Sequence, residues 1–428
     1  MVDDSADDRA ALDDFVHWLA YEAPPTATIK ELLHGFALRL DRAGFELLRV
    51  NLQIRPLNPQ VEAIDIAWSL HGEPVAFPAG LSVMPPGWEE SSMDPEPPVE
   101  GGHVRVTAVG HGGFKSEAFR VSPFFELIFN GKAEHRRNLT AGESSLDSPI
   151  LKDLALKGAT DYIALALQFY RGATSAISFT SRRPGGFTDS QITVLRDSRR
   201  ALSLALSPRI TARALGTLLG AYVGPKTARL VLAGAIERGN VQEIDAAIWF
   251  SDLRGFTPMS EAVAPRELIG WLNDYFAAVG SAIAQHDGEI LKFMGDAILA
   301  IWPVSPSEPR EATCRAALSA ARAANIELEK LNASRAAAGL PPMRHGIGLH
   351  VGSAQYGNIG TETRLDFTVI GPAVNTTSRL EGLCSKLSRQ VIASSEFAQC
   401  LPGELRSLGM AELKGVSAPQ EVFGFDEL

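Results

Sequence analysis

Apolar positions recur along the chain with two periods, and the period changes at clear punctuation. Leu12 to Leu19 and Ile29 to Leu40 carry apolar residues at helical spacing, and the alternating run Leu47 to Ile54 (LLRVNLQI) predicts a strand after them. Another strand-like run, HVRVTAVG, starts at His103. In DYIALALQFYRGATSAISFTSRRPGGFTDSQITVLRDSRRALSLAL two apolar strands flank Arg171-Gly172 and a helix follows them. The stretch from Met84 to Gly102 is dense in proline, glycine and acids, which predicts a loop rather than the interior of an element. From Ser207 to Val241 the apolar spacing is helical again, broken at Gly224-Pro225 and ended at Gly239-Asn240, and this predicts a helical connector.

The pattern beyond Ala246 carries candidate chemistry. AAIWFSDLRGFTPMSE begins as a buried strand, delivers Asp252 at its end, and turns at Gly255. An acid at a strand end is placed to hold a cation, although an aspartate capping the helix near Pro265 would read the same way. An amphipathic helix from about Pro265 to His286 follows, and then GEILKFMGDAILAIW predicts two short strands joined at Met294-Gly295, with Asp296 at the hairpin tip. Both acids reach one edge. Mg²⁺ takes oxygen ligands, usually one or two carboxylates plus substrate phosphates, so Asp252 and Asp296 suffice for a metal-phosphate site. Asn375 and Arg379 stand four residues apart, which puts them on one helical face.

Composition narrows the class. With 428 residues the chain is long for one core and predicts two or three domains; 45% hydrophobic and 21% charged residues suit a globular protein. No apolar run approaches the roughly 18 residues of a spanning helix, and the amino-terminal MVDDSADDRAALDDF is acidic where a signal peptide is basic, so a cytoplasmic protein without a membrane span is expected. The net charge of -10 argues against nucleic-acid partners, which need a basic face. Cys314, Cys384 and Cys400 have no CxxC spacing and predict free thiols.

FSDLRGFT, KFMGDAILA, GIGLHVGSAQYGNIG, DFTVIGPAVNTTSRLE and the terminal LKGV stand in the order and spacing of class III adenylate and guanylate cyclases, which the chain resembles over roughly residues 244 to 425. The resemblance implies a mostly antiparallel sheet flanked by helices, within an α/β (α+β) protein. It implies that Asp252 and Asp296 bind two Mg²⁺ (or Mn²⁺), with the Leu253 carbonyl as an extra ligand. One ion lowers the pKa of a ribose 3′-hydroxyl, the other neutralises the triphosphate, and in-line attack on the α-phosphate expels pyrophosphate. By the same resemblance Lys292 and Thr368 recognise the purine, Asn375 orients the ribose, Arg379 stabilises charge on the α-phosphate and Lys414 binds the terminal phosphates. Lysine with threonine favours ATP, because a lysine donates to adenine N1 and faces an N1–H donor in guanine. A guanylate cyclase, and a silent cyclase-like scaffold that binds nucleotide, are the alternatives. Relatives divide the metal acids and the purine-side residues across a subunit interface; this chain carries both sets, so a homodimer through the catalytic domain is implied. The chain departs from the common IGDxVN at Pro372, which is expected to alter the turn into the Asn375 helix. Asp366 is set apart from the purine position two residues later.

Strand, turn, strand and closing helix before Ser207 resemble a GAF-type sensor domain, over roughly residues 30 to 207. The predicted organisation is therefore a GAF-like regulatory domain over 1–207 with a small-molecule or protein ligand, a connector over 208–241, and a catalytic domain over 242–428.

Overall fold

The structure, a computed structural model, describes residues 4–24, 26–70, 102–142, 146–169, 173–414 and 418–425. The chain divides into two compact units, residues 1–218 and 219–428. The predicted loop at 84–101 and the turn at Arg171-Gly172 lie outside the described residues.

In the amino-terminal unit, helices α1 (Asp4–His17) and α2 (Ile29–Leu40) precede strands β1 (Leu47–Ile54), β2 (Val61–Ser69) and β3 (His103–Gly110). Thr28 starts α2 with a capping box: its hydroxyl accepts from Glu31 N–H at 3.2 Å, and Glu31 Oε2 accepts from Thr28 N–H at 2.7 Å. Short helices α3 (Glu117–Arg120) and α4 (Pro123–Ile128) lead to β4 (Glu134–Asn138), α5 (Pro149–Leu156), β5 (Asp161–Leu167) and β6 (Ser175–Ser181). The strands form one antiparallel sheet in the order β3-β2-β1-β6-β5-β4. Two apolar cores cover it. Val50, Leu52 and Ile54 pack with Leu33 and Phe36 of α2, while Ala63, Tyr162 and Ala176 pack with Phe114, Phe119 and Leu151. Burial on both sides explains why these strands depart from strict apolar-polar alternation.

Helix α6 (Asp189–Val223) runs on through Pro208, where the predicted connector begins. Its residues are buried as far as Leu206, so the helix is anchored in the first core before it reaches the proline. After Gly224, α7 (Pro225–Leu232) is fastened into the second unit by a buried carboxylate. Glu289 Oε1 accepts from Thr227 N–H at 2.9 Å and from Thr227 Oγ1 at 3.0 Å, and its Oε2 accepts from the Tyr356 hydroxyl at 3.3 Å. Part of the expected connector is thus a bound element of the carboxy-terminal unit.

That unit continues with β7 (Val241–Leu253), α8 (Phe256–Ala262), α9 (Pro265–Gln285), β8 (Glu289–Met294), β9 (Ala297–Pro303), α10 (Arg310–Ala337), β10 (His345–Gly360), β11 (Leu365–Ile370), α11 (Pro372–Lys386), β12 (Val391–Ser394), α12 (Ser395–Gln399), β13 (Arg406–Ala411) and β14 (Gln420–Gly424). The sheet order is β13-β14-β12-β10-β7-β9-β8, with β11 folded back on the far end of β10. β10 and β12 run parallel; the other pairings are antiparallel. The central β7 is apolar on both sides, with Ala247 and Trp249 in one core and Ala246 and Ile248 in another. Cys314 and Cys384 are buried free thiols and Cys400 is half-buried and free. Among the described residues no helix is long and apolar enough to cross a membrane.

Candidate active site

Asp252 is the penultimate residue of β7, the strand between β10 and β9. It lies opposite Gly346 of β10, and its neighbour Ser251 lies opposite Ile298 of β9. Continuing that register toward the β8–β9 hairpin reaches Asp296, which with Gly295 forms a two-residue turn between paired Met294 and Ala297. Gly295 has φ of 67°, a left-handed value that favours glycine, so this residue fixes the tight turn that aims Asp296. The two predicted acids therefore meet at one sheet edge. Asp252 is pushed up to about 6, first by burial and then by the hydrogen bond and charge of Asp296, while the Leu253 N–H opposes the shift. Its Oδ1 is buried and has no hydrogen-bond partner. Two converging carboxylates, one with an orphaned oxygen, form a hard-oxygen donor set that fits Mg²⁺ or Mn²⁺. Leu253 is buried at the end of β7, beside this pair.

His345, opposite Leu253, is fully buried and pushed down to about 3 by burial. Its Nε2 lies 2.8 Å from Asn325 Oδ1. Burial disfavours its charged form, and it serves as a packing group.

Glu381 stands on α11, at the end of VNTTSRLE. It is pushed up to about 7 by burial first and by the charge of Asp252 next, with Arg254 pulling it down. A side chain at Gly346 would meet Glu381 Oε1 at 2.5 Å, and one at Gly348 would meet the Thr377 carbonyl at 2.3 Å. Gly346 and Gly348 let α11 lie directly on β10, and they bring Glu381 close to the acid pair.

On the other side of the site, Lys292 stands on β8 and Thr368 is buried on β11 opposite Gly357. Lys292 forms an ion pair and hydrogen bond with Asp366, the residue that sequence reasoning set aside. Asn375 and Arg379 lie on α11 as the spacing predicts; Asn375 is exposed and Arg379 half-buried. Among the described residues neither side chain has a hydrogen-bond or ion-pair partner, and no hydrogen bond joins the acid pair to Lys292, Thr368, Asn375 or Arg379. Pro372 occupies the start of α11, where a missing N–H costs no intrahelical bond and the fixed φ suits a helix. Lys414 is exposed beyond β13, and the residues after it in LKGV lie outside the described residues.

Comparisons with known proteins fall on this same segment. Residues 240–425 match the family model of the "Adenylate and Guanylate cyclase catalytic domain". "Adenylate cyclase 1" of Rhizobium meliloti (strain 1021) is 38% identical over 186 residues, covering 42% of this chain and 27% of its own length. "Adenylate cyclase" of Anabaena cylindrica is 38% identical over 170 residues, covering 39% of this chain and 32% of its own. The chain thus spans about a third or less of these curated relatives. Among solved structures, the adenylyl cyclase CyaB from P. aeruginosa is 28% identical with a TM-score of 0.40, covering 43% of this chain and 94% of that one. The carboxy-terminal unit therefore carries a class III adenylate/guanylate cyclase catalytic domain over residues 240–425.

Proposed function

We propose that this domain is an adenylate cyclase, converting ATP to 3′,5′-cyclic AMP and pyrophosphate. The observation that carries the reading is the pair Asp252 and Asp296 at one sheet edge, with an oxygen of Asp252 buried and unpaired. An unpaired buried acceptor costs about 1–3 kcal/mol in the free protein, and a bound cation relieves that cost. Asp252 and Asp296 would hold two divalent cations, with the Leu253 carbonyl beside them. Bound there, the cations supply charge neutralisation on the triphosphate and a more acidic ribose 3′-hydroxyl. Lys292 and Thr368 grip the adenine edge, Asn375 orients the ribose, Arg379 donates to the α-phosphate as charge develops, and Lys414 receives the terminal phosphates. Two names from the comparisons, adenylate cyclases of R. meliloti and A. cylindrica, support ATP as substrate.

The working unit in this reading is a homodimer. Metal acids and purine-side residues are not joined within one chain, and apolar side chains lie exposed on the strands that carry the site: Phe293 and Met294 of β8, Leu365 and Ile370 of β11. Such side chains suit a subunit interface. The amino-terminal unit is read as a GAF-like regulatory domain, supported by its single antiparallel sheet with helices on both faces; its occupancy would shift the population of productive dimers.

An assay of the purified protein with ATP and GTP, each with Mg²⁺ and Mn²⁺, beside Asp296→Ala, tests the reading. Metal-dependent cyclic AMP formation lost in the variant is the expected result. Turnover of GTP faster than ATP, or no turnover of either nucleotide, overturns it.

A further inference from the structure

The purine-side lysine is already held. Lys292 Nζ is bound to Asp366 Oδ2, although both side chains are reachable from solvent. The two residues are 74 positions apart, and the contact forms because β11 folds back along β10 and brings its first half against β8. Asp366 and Thr368 are two residues apart on β11, so their side chains leave the same face of the strand. Opposite them in the antiparallel register stand Ile359 and Gly357, which bring no charge. Thr368 is neutral and buried, and so the carboxylate that answers Lys292 comes from Asp366 alone among the hydrogen bonds and ion pairs of the described residues.

We infer that Asp366 is a positioning and specificity-determining residue: it fixes the Lys292 ammonium so that its remaining N–H groups face the acceptor edge of adenine. The inference rests on the adenylate cyclase reading and deepens it. A free lysine carries rotamer entropy that binding must remove, and a carboxylate on a paired strand removes part of it in advance. An ammonium has three donors and no acceptor. One donor is taken by Asp366 Oδ2, which leaves donors on the ammonium for adenine N1, while the ammonium itself has no acceptor for the N1–H of guanine. Thr368 can donate or accept, so by itself it does not discriminate between the bases. The ion pair makes the lysine a fixed donor and thereby assigns base preference to the pair Lys292–Asp366, with Thr368 completing the pocket.

The 428-residue chain and its variants Asp366→Asn, Asp366→Glu and Asp366→Asn/Thr368→Asp decide the matter by two readouts. The first is kcat and KM for ATP and for GTP. Asp366→Asn is expected to lower the ATP-to-GTP ratio of kcat/KM by about tenfold or more, chiefly through KM for ATP. Asp366→Glu keeps the charge and most of the ratio, and the double variant returns a carboxylate two residues further along and restores it. The second readout needs no nucleotide: the acylation rate of the Lys292 amine by an N-hydroxysuccinimide ester, followed by peptide mass spectrometry. That rate rises in Asp366→Asn. An unchanged ratio in a folded, active Asp366→Asn overturns the inference, as does an unchanged acylation rate. Should Asp366→Asn fail to fold, Asp366→Ser is measured in its place and judged by the same two outcomes. A wild-type protein inactive on both nucleotides sinks the cyclase reading instead, and the acylation rates still report whether Asp366 holds the lysine.

Discussion

Asp65 on β2 and Asp252 on β7 are both pushed up to about 6, and burial is the leading cause in each. Their surroundings differ. Asp65 accepts from Asn51 Nδ2 at 3.2 Å and from Gln53 Nε2 at 3.1 Å, and Arg49, itself buried, supplies a countercharge nearby. Asp252 has an orphaned oxygen, a second acid beside it and the backbone N–H of Leu253 as the donor that opposes its shift. The first carboxylate completes a polar ladder inside a sheet; the second has a buried oxygen left short of a partner. A raised pKa therefore does not identify a site, whereas the list of partners does.

The largest effect should come from removing the incomplete acid. Asp252→Asn is expected to lower cyclase turnover by about three orders of magnitude, measured as initial rates of cyclic AMP formation at saturating Mg²⁺. If turnover persists, the comparison loses its functional half.

Next in size is the effect of removing the satisfied acid. Asp65→Ala leaves Arg49 without its countercharge and two amide donors without their acceptor, and should destabilise the amino-terminal unit by about 3–5 kcal/mol in denaturant melts. A cost below about 1 kcal/mol would show that the ladder is not a closed network.

A third buried carboxylate sharpens the contrast. Glu289 is fully engaged by Thr227 and Tyr356, so Thr227→Val should behave like the Asp65 variant on a smaller scale. We expect about 1–2 kcal/mol of lost stability, read by thermal melts.

The pH dependence of the site follows from the direction of the Asp252 shift. Its unfolded value is near 3.8 and its folded value about 6, so the metal-free folded state binds the proton more tightly and the carboxylate's contribution becomes unfavourable as pH rises through this window. At pH 7 Asp252→Asn should therefore raise the metal-free stability slightly, by about 1 kcal/mol after allowance for solvent screening. Excess Mg²⁺ should stabilise the wild type and not the variant. Cation affinity should fall as pH drops through about 6, because the protonated acid is no longer a ligand; isothermal titration at pH 5.5 and 7.5 checks both the sign and the size.

Much of this architecture was legible before any coordinates. The helix at Ile29–Leu40, the strand at Leu47–Ile54, the strand that ends near Asp252 and the hairpin that presents Asp296 all follow from periodicity and turn chemistry, and each is where those rules put it. The effect of Pro372 depends on its place in the helix, and the sequence leaves open whether it stands at the first turn or before it. Glu381 and Asp366 were in quoted motifs and had no assigned use. Their roles depend on neighbours far along the chain, Gly346 for one and Lys292 for the other.

The amino-acid order by itself determined which residues are hydrophobic enough to be strands and helices, which turns are tight, and which acidic and basic side chains are available for chemistry. Local rules suffice for that, because spacing and turn preference act over a few residues. Only the tertiary structure decided which of these carboxylates is satisfied and which is left short of a partner, that α7 belongs to the carboxy-terminal unit, and that Lys292 answers to Asp366. Those are outcomes of strand register and helix packing, which join residues tens of positions apart, and no pattern within one element encodes them.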